Sequence, residues 1–282
     1  LESDTPNAKF FGYLITIGFL VFILALILNL VFIFTGKRID FRKLEAFKPV
    51  SWDITDIIRA SIIIVFIGYV IAAAEGVILK AFHIELGLNL RMMLDTLFID
   101  IIAVFIVFYF VVIKYKESFK SLGLSFRNFL SNILSGITAY ILMLPGLLAV
   151  LLLSVWVLNL LGYTPPPQPV FEIFMEEDSS RVLFFLTIFV SFLGPIIEEL
   201  FFRGFMYSAI KKRTGIIAAA FLSAAIFSAL HTNITGFLPI MVLGVFLAYL
   251  YETTGSLIAS MTVHIIHNSA IVTFIFFIKK LI

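Results

Sequence analysis

Long runs of apolar residues separated by short polar clusters dominate the chain. Eight such runs stand out, at 10–34, 57–80, 92–113, 129–161, 183–210, 215–230, 237–251 and 256–278. A helix needs ~20 predominantly apolar residues to cross a bilayer, and only the sixth and seventh runs fall short. The runs are continuous and lack the ten-residue alternation of membrane barrel strands, so the pattern predicts helices. Run four is overlong and carries Pro145-Gly146, where a kink is expected. Run one exceeds the ~7–15 residues of a signal-peptide core and leads into Gly36-Lys37-Arg38, not a small-residue cleavage site. It reads as a retained span. The expected fold is an all-α integral membrane protein of about eight transmembrane helices. Residues 1–128 form an N-terminal set of helices and interfacial segments, and 129–282 hold a C-terminal four-helix core.

Composition reinforces this picture. Of 282 residues, 61% are hydrophobic and 13% charged, with a mean hydropathy of +1.12. A soluble domain is about half apolar and a quarter charged. The net charge of +2 and the short basic clusters argue against a nucleic-acid partner. Those clusters instead set topology. Lys37, Arg38, Arg42, Lys43, Lys48, Lys114, Lys116, Lys120, Arg127, Lys211, Lys212 and Arg213 fall in alternate loops. Lys9, Lys80, Arg91, Arg181, Lys279 and Lys280 lie on the other side. The bias places both termini outside. Segments 41–52 and 116–128 mix aromatic, basic and small residues and are expected to lie along the inner surface. Loop 162–181 is rich in proline and acidic residues, as suits a solvated outer segment. Cysteine is absent, which excludes disulfides, thiolate catalysis and cysteine metal ligands.

Ionisable side chains inside a span cost about 2.5–3.5 kcal/mol each on insertion scales, so they are functional candidates by default. The fifth run contains Glu198, Glu199 and Arg203. Glu199 and Arg203 are four apart and share a helix face, whereas Glu198 is rotated ~100° from Glu199. One arginine cannot neutralise two carboxylates, so Glu198 is left for another partner. Three of the four histidines, His231, His264 and His267, fall late in the chain, and His264 and Asn268 share a face of the last helix. Counting 1.5 Å per residue from the inner helix ends puts Glu198, His231, His264 and Asn268 roughly 14–24 Å deep. All four therefore fall mid-membrane and are expected to converge. Each has a bland reading too. The carboxylates could be a structural ion pair, His231 a helix-end histidine, and His264 with Asn268 a helix-bonding pair. His267 points off the His264 face and reads as structural, while His83 sits in a loop. Glu75 lies deep in the second run without an obvious partner, and roughly 24 Å along the helix separate it from Arg59, beyond the reach of a bond. Asp95 and Asp100 read as interfacial.

The motifs E-E-x-x-x-R (Glu198-Glu199…Arg203), F-x-x-x-H (Phe227…His231) and H-x-x-x-N (His264…Asn268) occur in that order in three helices. Together they resemble the type II CAAX prenyl endopeptidases of the Ras-converting enzyme type and their prokaryotic relatives, the CPBP or ABI family. The likeness covers about residues 183–278. It implies that 129–282 is a CPBP-type intramembrane protease core acting as a peptide hydrolase. The implied chemistry is metalloendopeptidase-like water activation by a glutamate, without a metal or other cofactor. In that reading Glu198 is the general base and His231 helps hold the water. His264 and Asn268 form the oxyanion hole, and Glu199 with Arg203 orders the site. Water is a poor nucleophile and needs a base, and a developing oxyanion needs preplaced donors in a low dielectric. The implied substrate is a membrane-associated or lipidated peptide or protein, a prenyl group being one such lipid, and the implied location a prokaryotic plasma membrane. Catalytic zinc is the weaker reading, because H-E-x-x-H is absent and the candidate ligands come from separate helices. The alternatives are a non-catalytic scaffold or bacteriocin-immunity protein of the same fold, and a proton-relay transporter. The transporter predicts paired broken helices in two halves, and no inverted repeat is evident.

Overall fold

The computed structural model describes residues 6–34, 50–163, 166, 168–231 and 233–281. The basic cluster at 37–48, most of segment 41–52 and part of the proline-rich loop lie outside the described residues. Among the described residues ten α-helices follow in order: α1 Pro6–Phe34, α2 Ile54–Phe82, α3 Leu88–Phe108, α4 Phe129–Leu160, α5 Pro169–Glu176, α6 Ser180–Ile188, α7 Gly194–Glu199, α8 Ser208–Leu230, α9 Ile234–Thr254 and α10 Leu257–Leu281. Wide π-helical turns extend α3 (Tyr109–Lys114) and join α6 to α7 (Phe189–Leu193) and α7 to α8 (Leu200–Tyr207). No strand occurs among the described residues. The protein is an all-α, multi-pass integral membrane protein.

Six helical stretches among the described residues are long and apolar enough to cross a membrane: Ile54–Phe82, Leu88–Lys114, Phe129–Leu160, Ser180–Leu230, Ile234–Thr254 and Leu257–Lys280. The expected number of about eight is thus approximate. Ser180–Leu230 is 51 residues long and contains both the fifth and the sixth expected runs. It is broken at Gly215, whose φ of 80° and ψ of 173° interrupt the helix. Only glycine adopts that backbone without a Cβ penalty. Helix α1 adds an apolar segment whose described stretch, Ile15–Val31, is shorter than the other six.

Local sequence starts these helices where capping chemistry allows. Asp53 caps α2 through the amides of Thr55 and Asp56, and Asp56 returns the bond to the Asp53 amide. Ser179 and Asn233 cap α6 and α9 in the simpler manner. Helix α4 runs through Pro145 without a break. Asn29 of α1 donates to the Leu142 carbonyl at 2.9 Å, one residue from the acceptor that Pro145 leaves without its intrahelical donor.

The C-terminal helices pack face to face, α8 along α9, α10 against α4, and α4 against α9. Small residues allow the close approach, because lipid gives helices no hydrophobic reason to associate. A Cβ on Gly136 would lie 2.7 Å from the Ala259 carbonyl, so α4 and α10 meet backbone to backbone there. Trp52 is fully buried against this core, and its indole donates to the Phe205 carbonyl at 2.9 Å. Tyr207 and Lys211 both donate to the buried carboxylate of Glu252, locking the start of α8 to the end of α9.

Candidate active site

Helix α7 is short and lies between two π turns, and it carries both carboxylates. A π turn opens the regular backbone ladder and re-aims the side chains that follow it. Glu199 ends fully buried and Glu198 keeps 30% of its side chain exposed. Adjacent residues on one helix thus face two environments, one packed and one partly open.

Glu199 is the hub. Arg203 Nη1 donates to Glu199 Oε1 at 2.5 Å, and His264 Nδ1 lies 3.0 Å from the same oxygen. Arg203 and His264 are 1% and 2% exposed, so this contact is dry. Arg203 also donates to the Gly244 carbonyl at 3.3 Å and stacks 4.5 Å over the Phe227 ring. Delocalised charge and a planar face suit arginine to that double role. Gly244 makes room for it, since a Cβ there would sit 2.8 Å from Ala224 Cβ and 3.3 Å from Arg203 Nη2.

His264 links the two carboxylates. Its Nδ1 faces Glu199 and its Nε2 lies 3.5 Å from Glu198 Oε2. Among the described residues, two buried acceptors, Glu198 Oε2 and Glu199 Oε2, have no hydrogen-bond partner. A buried acceptor left unpaired costs about 1–3 kcal/mol, and more when charged, so it persists where something else is served.

The other expected residues are placed less tightly. Asn268 is half-buried on α10, and its amide donates to the Val190 carbonyl at 2.9 Å, in the π turn before α7. One amide hydrogen remains for other use. His231 is exposed at the end of α8, its Nδ1 2.8 Å from the Phe227 carbonyl. Among the described residues it makes no hydrogen bond or ion pair with Glu198. Phe227 stands between, its ring 4.7 Å from the His231 ring and 5.7 Å from that of His264. Four of the six expected residues, Glu198, Glu199, Arg203 and His264, therefore form one contact network. Asn268 and His231 border it. His267 meets the ring of Tyr140 at 6.1 Å. Among the described residues no three His, Asp or Glu side chains gather so as to hold a metal ion.

Residues 180–270 match the family model described as Type II CAAX prenyl endopeptidase Rce1-like. That Rce1-like segment contains every residue of the network. A Bacillus subtilis (strain 168) protein named Putative membrane peptidase YdiL is 29% identical over 82 residues, which are 29% of this chain and 34% of that protein. The chain thus spans about a third of the length of the curated relative it matches. No solved structure matches the chain.

Some site neighbours were not legible in sequence. Gly244 looks like any glycine in an apolar run, and only the crossing of α8 and α9 gives it a role. Asp100, expected at the outer interface, is half-buried on α3, which packs against α7. Glu75 does have a partner. Arg91 Nε lies 3.1 Å from its Oε2, across the hairpin of α2 and α3.

Proposed function

We propose that the protein is an intramembrane endopeptidase, in which Glu198 activates a water molecule to hydrolyse a peptide bond of a membrane-associated substrate. The observation that carries this reading is Glu198 Oε2, a buried acceptor without a partner, facing His264 Nε2 inside the Rce1-like segment. In the proposed reaction Glu198 takes a proton from water as the water oxygen bonds to the substrate carbonyl carbon. The carbonyl electrons move to oxygen, and the resulting oxyanion accepts from His264 Nε2–H and the free Asn268 amide hydrogen. Collapse breaks the carbon–nitrogen bond, and Glu198 returns the proton to the departing amine. A positioned base contributes about 10²–10⁴-fold and a donor to the oxyanion about 10²–10³-fold.

Glu199 holds Nδ1 of His264, which aims Nε2 at the reacting atoms. Arg203 offsets the charge of Glu199, and His264 sets one ring nitrogen against each carboxylate. That balance lowers the cost of placing four ionisable groups in a span. His231, on the exposed side of Phe227, would reach the water from the rim. Both nitrogens of His264 already face carboxylates, a donor arrangement that favours metal-free chemistry. Catalysis would reside in 129–282, in a prokaryotic plasma membrane, on a substrate that carries a prenyl group or another membrane anchor.

The test uses the full chain in liposomes with membrane-anchored peptides, new termini being read by mass spectrometry. Glu198→Gln is expected to insert and fold while cleaving nothing, and a chelator to leave the wild-type rate unchanged. Retained cleavage by Glu198→Gln would reject the proposal and favour a site elsewhere. A wild-type protein that cleaves no peptide supplied would favour the scaffold.

A further inference from the structure

Outside the carboxylate network, at the Lys- and Arg-rich end of the bundle, α2 and the π turn after α3 line a groove of about 410 Å³. Arg59 and Lys114 stand at its mouth, and Ile62, Ile63, Tyr109 and Phe110 form its walls. Arg59, Ile62 and Ile63 share one face of α2, so the groove runs from the charged rim into the apolar span.

The base of this rim is fixed by Asp56, which is 2% exposed. Its Oδ1 accepts from Lys114 at 2.5 Å, and its Oδ2 accepts from the Tyr115 hydroxyl at 2.5 Å and from the Asp53 amide at 3.2 Å. That hydrogen bond to Asp56, and then burial, push the Tyr115 phenol above its ordinary pKa, so it stays a neutral donor. Arg59 is only loosely drawn in. Its Nη1 lies 3.8 Å from Asp56 Oδ1, and the side chain is 61% exposed. One carboxylate faces two cations, so the rim keeps a net positive charge, and the arginine fork keeps donors to spare.

We infer that this groove binds one anionic phospholipid, its phosphate held between Arg59 and Lys114 and an acyl chain laid along Ile62, Ile63 and Tyr109. The combination decides the ligand class. A free phosphate would use the two cations and ignore the apolar walls, and a neutral chain would ignore the cations. Ile62 and Tyr109 are 63% and 50% exposed, apolar surface continuous with the charged mouth. Guanidinium matches a phosphate with two parallel bonds, and the rim charge favours a lipid of net negative charge over a zwitterionic one. An anionic leaflet attracts each surface-proximal basic residue by about 1 kcal/mol, which converts to roughly fivefold in occupancy.

Native mass spectrometry of the detergent-purified full chain tests this, with phosphatidylglycerol and phosphatidylcholine added in equal amounts. Wild type is expected to retain phosphatidylglycerol about fivefold over phosphatidylcholine. R59Q should abolish that preference, and R213Q, an exposed arginine elsewhere, should keep it. Ile62→Trp fills the groove without changing charge and should lower retention of both lipids, which decides the matter if R59Q does not fold. Equal retention of the two lipids by wild type, equal losses in R59Q and R213Q, or unchanged retention in Ile62→Trp would overturn the proposal. So would displacement of phosphatidylglycerol by millimolar inorganic phosphate, which would mark a simple anion site.

Discussion

Replacing Arg203 with methionine removes a cation that the protein has no means to replace. Glu199 is fully buried, and Arg203 Nη1 and His264 Nδ1 both lie against its Oε1. Among the described residues its Oε2 has no hydrogen-bond partner. Removing one partner of a buried pair costs about 3–5 kcal/mol, because the other charge stays behind. The methionine stem retains some packing on Phe227, so the loss is chiefly electrostatic. Glu199→Gln in the same background takes the stranded charge away, and an amide is far cheaper to bury. The double variant should therefore recover at least about 2 kcal/mol of the single variant's loss. Unfolding in mixed micelles of rising denaturing-detergent fraction, followed by tryptophan fluorescence, measures both. Trp52 reports well, being fully buried against Phe205. A loss below about 1 kcal/mol for Arg203→Met, or a double variant no more stable than the single one, would refute the idea of a charge-paired dry hub.

Three further outcomes follow from other contacts. Gly244→Ala drives a Cβ to 2.8 Å from that of Ala224 and should cost about 1–3 kcal/mol in the same unfolding assay, with Ala224→Gly restoring most of it. Under the proposed mechanism Asn268→Ala should lower kcat of peptide cleavage by about 10²–10³-fold with KM little changed, the loss expected of a donor to the oxyanion. Glu75→Gln breaks a partly exposed pair with Arg91 and should cost less than about 1 kcal/mol while leaving the cleavage rate intact.

The legible part of this protein was what the bilayer dictates. Twenty-residue apolar runs have one solution in lipid, so helices and their order could be read directly. Glu199 and Arg203 were legible as an i, i+4 pair on one face. Their neighbours were not, because those arise where helices cross. His264 meets two carboxylates only because α10 packs on α7, and Gly244 matters only because α9 passes α8 there. Depth counting along straight helices places His231 and Glu198 both in mid-membrane but says nothing of azimuth, and the Phe227 ring contacts both His231 and His264. The π turns flanking α7 have no sequence signature, yet one supplies the Val190 carbonyl that Asn268 binds. Gly215, read as the start of a sixth run, is the break itself. Glu75 was compared with Arg59 on its own helix, and its partner Arg91 lies across a turn that helix counting does not bridge.

In the proposed mechanism Glu198 moves a proton from water while a peptide carbonyl is attacked. Single-turnover cleavage in heavy-oxygen water distinguishes this from attack by the carboxylate itself. One heavy oxygen is expected in the new substrate carboxylate on the first turnover, none in the Glu198 side chain, and no product from Glu198→Gln. Label appearing first in Glu198, or product formed by the glutamine variant at an undiminished rate, would contradict it.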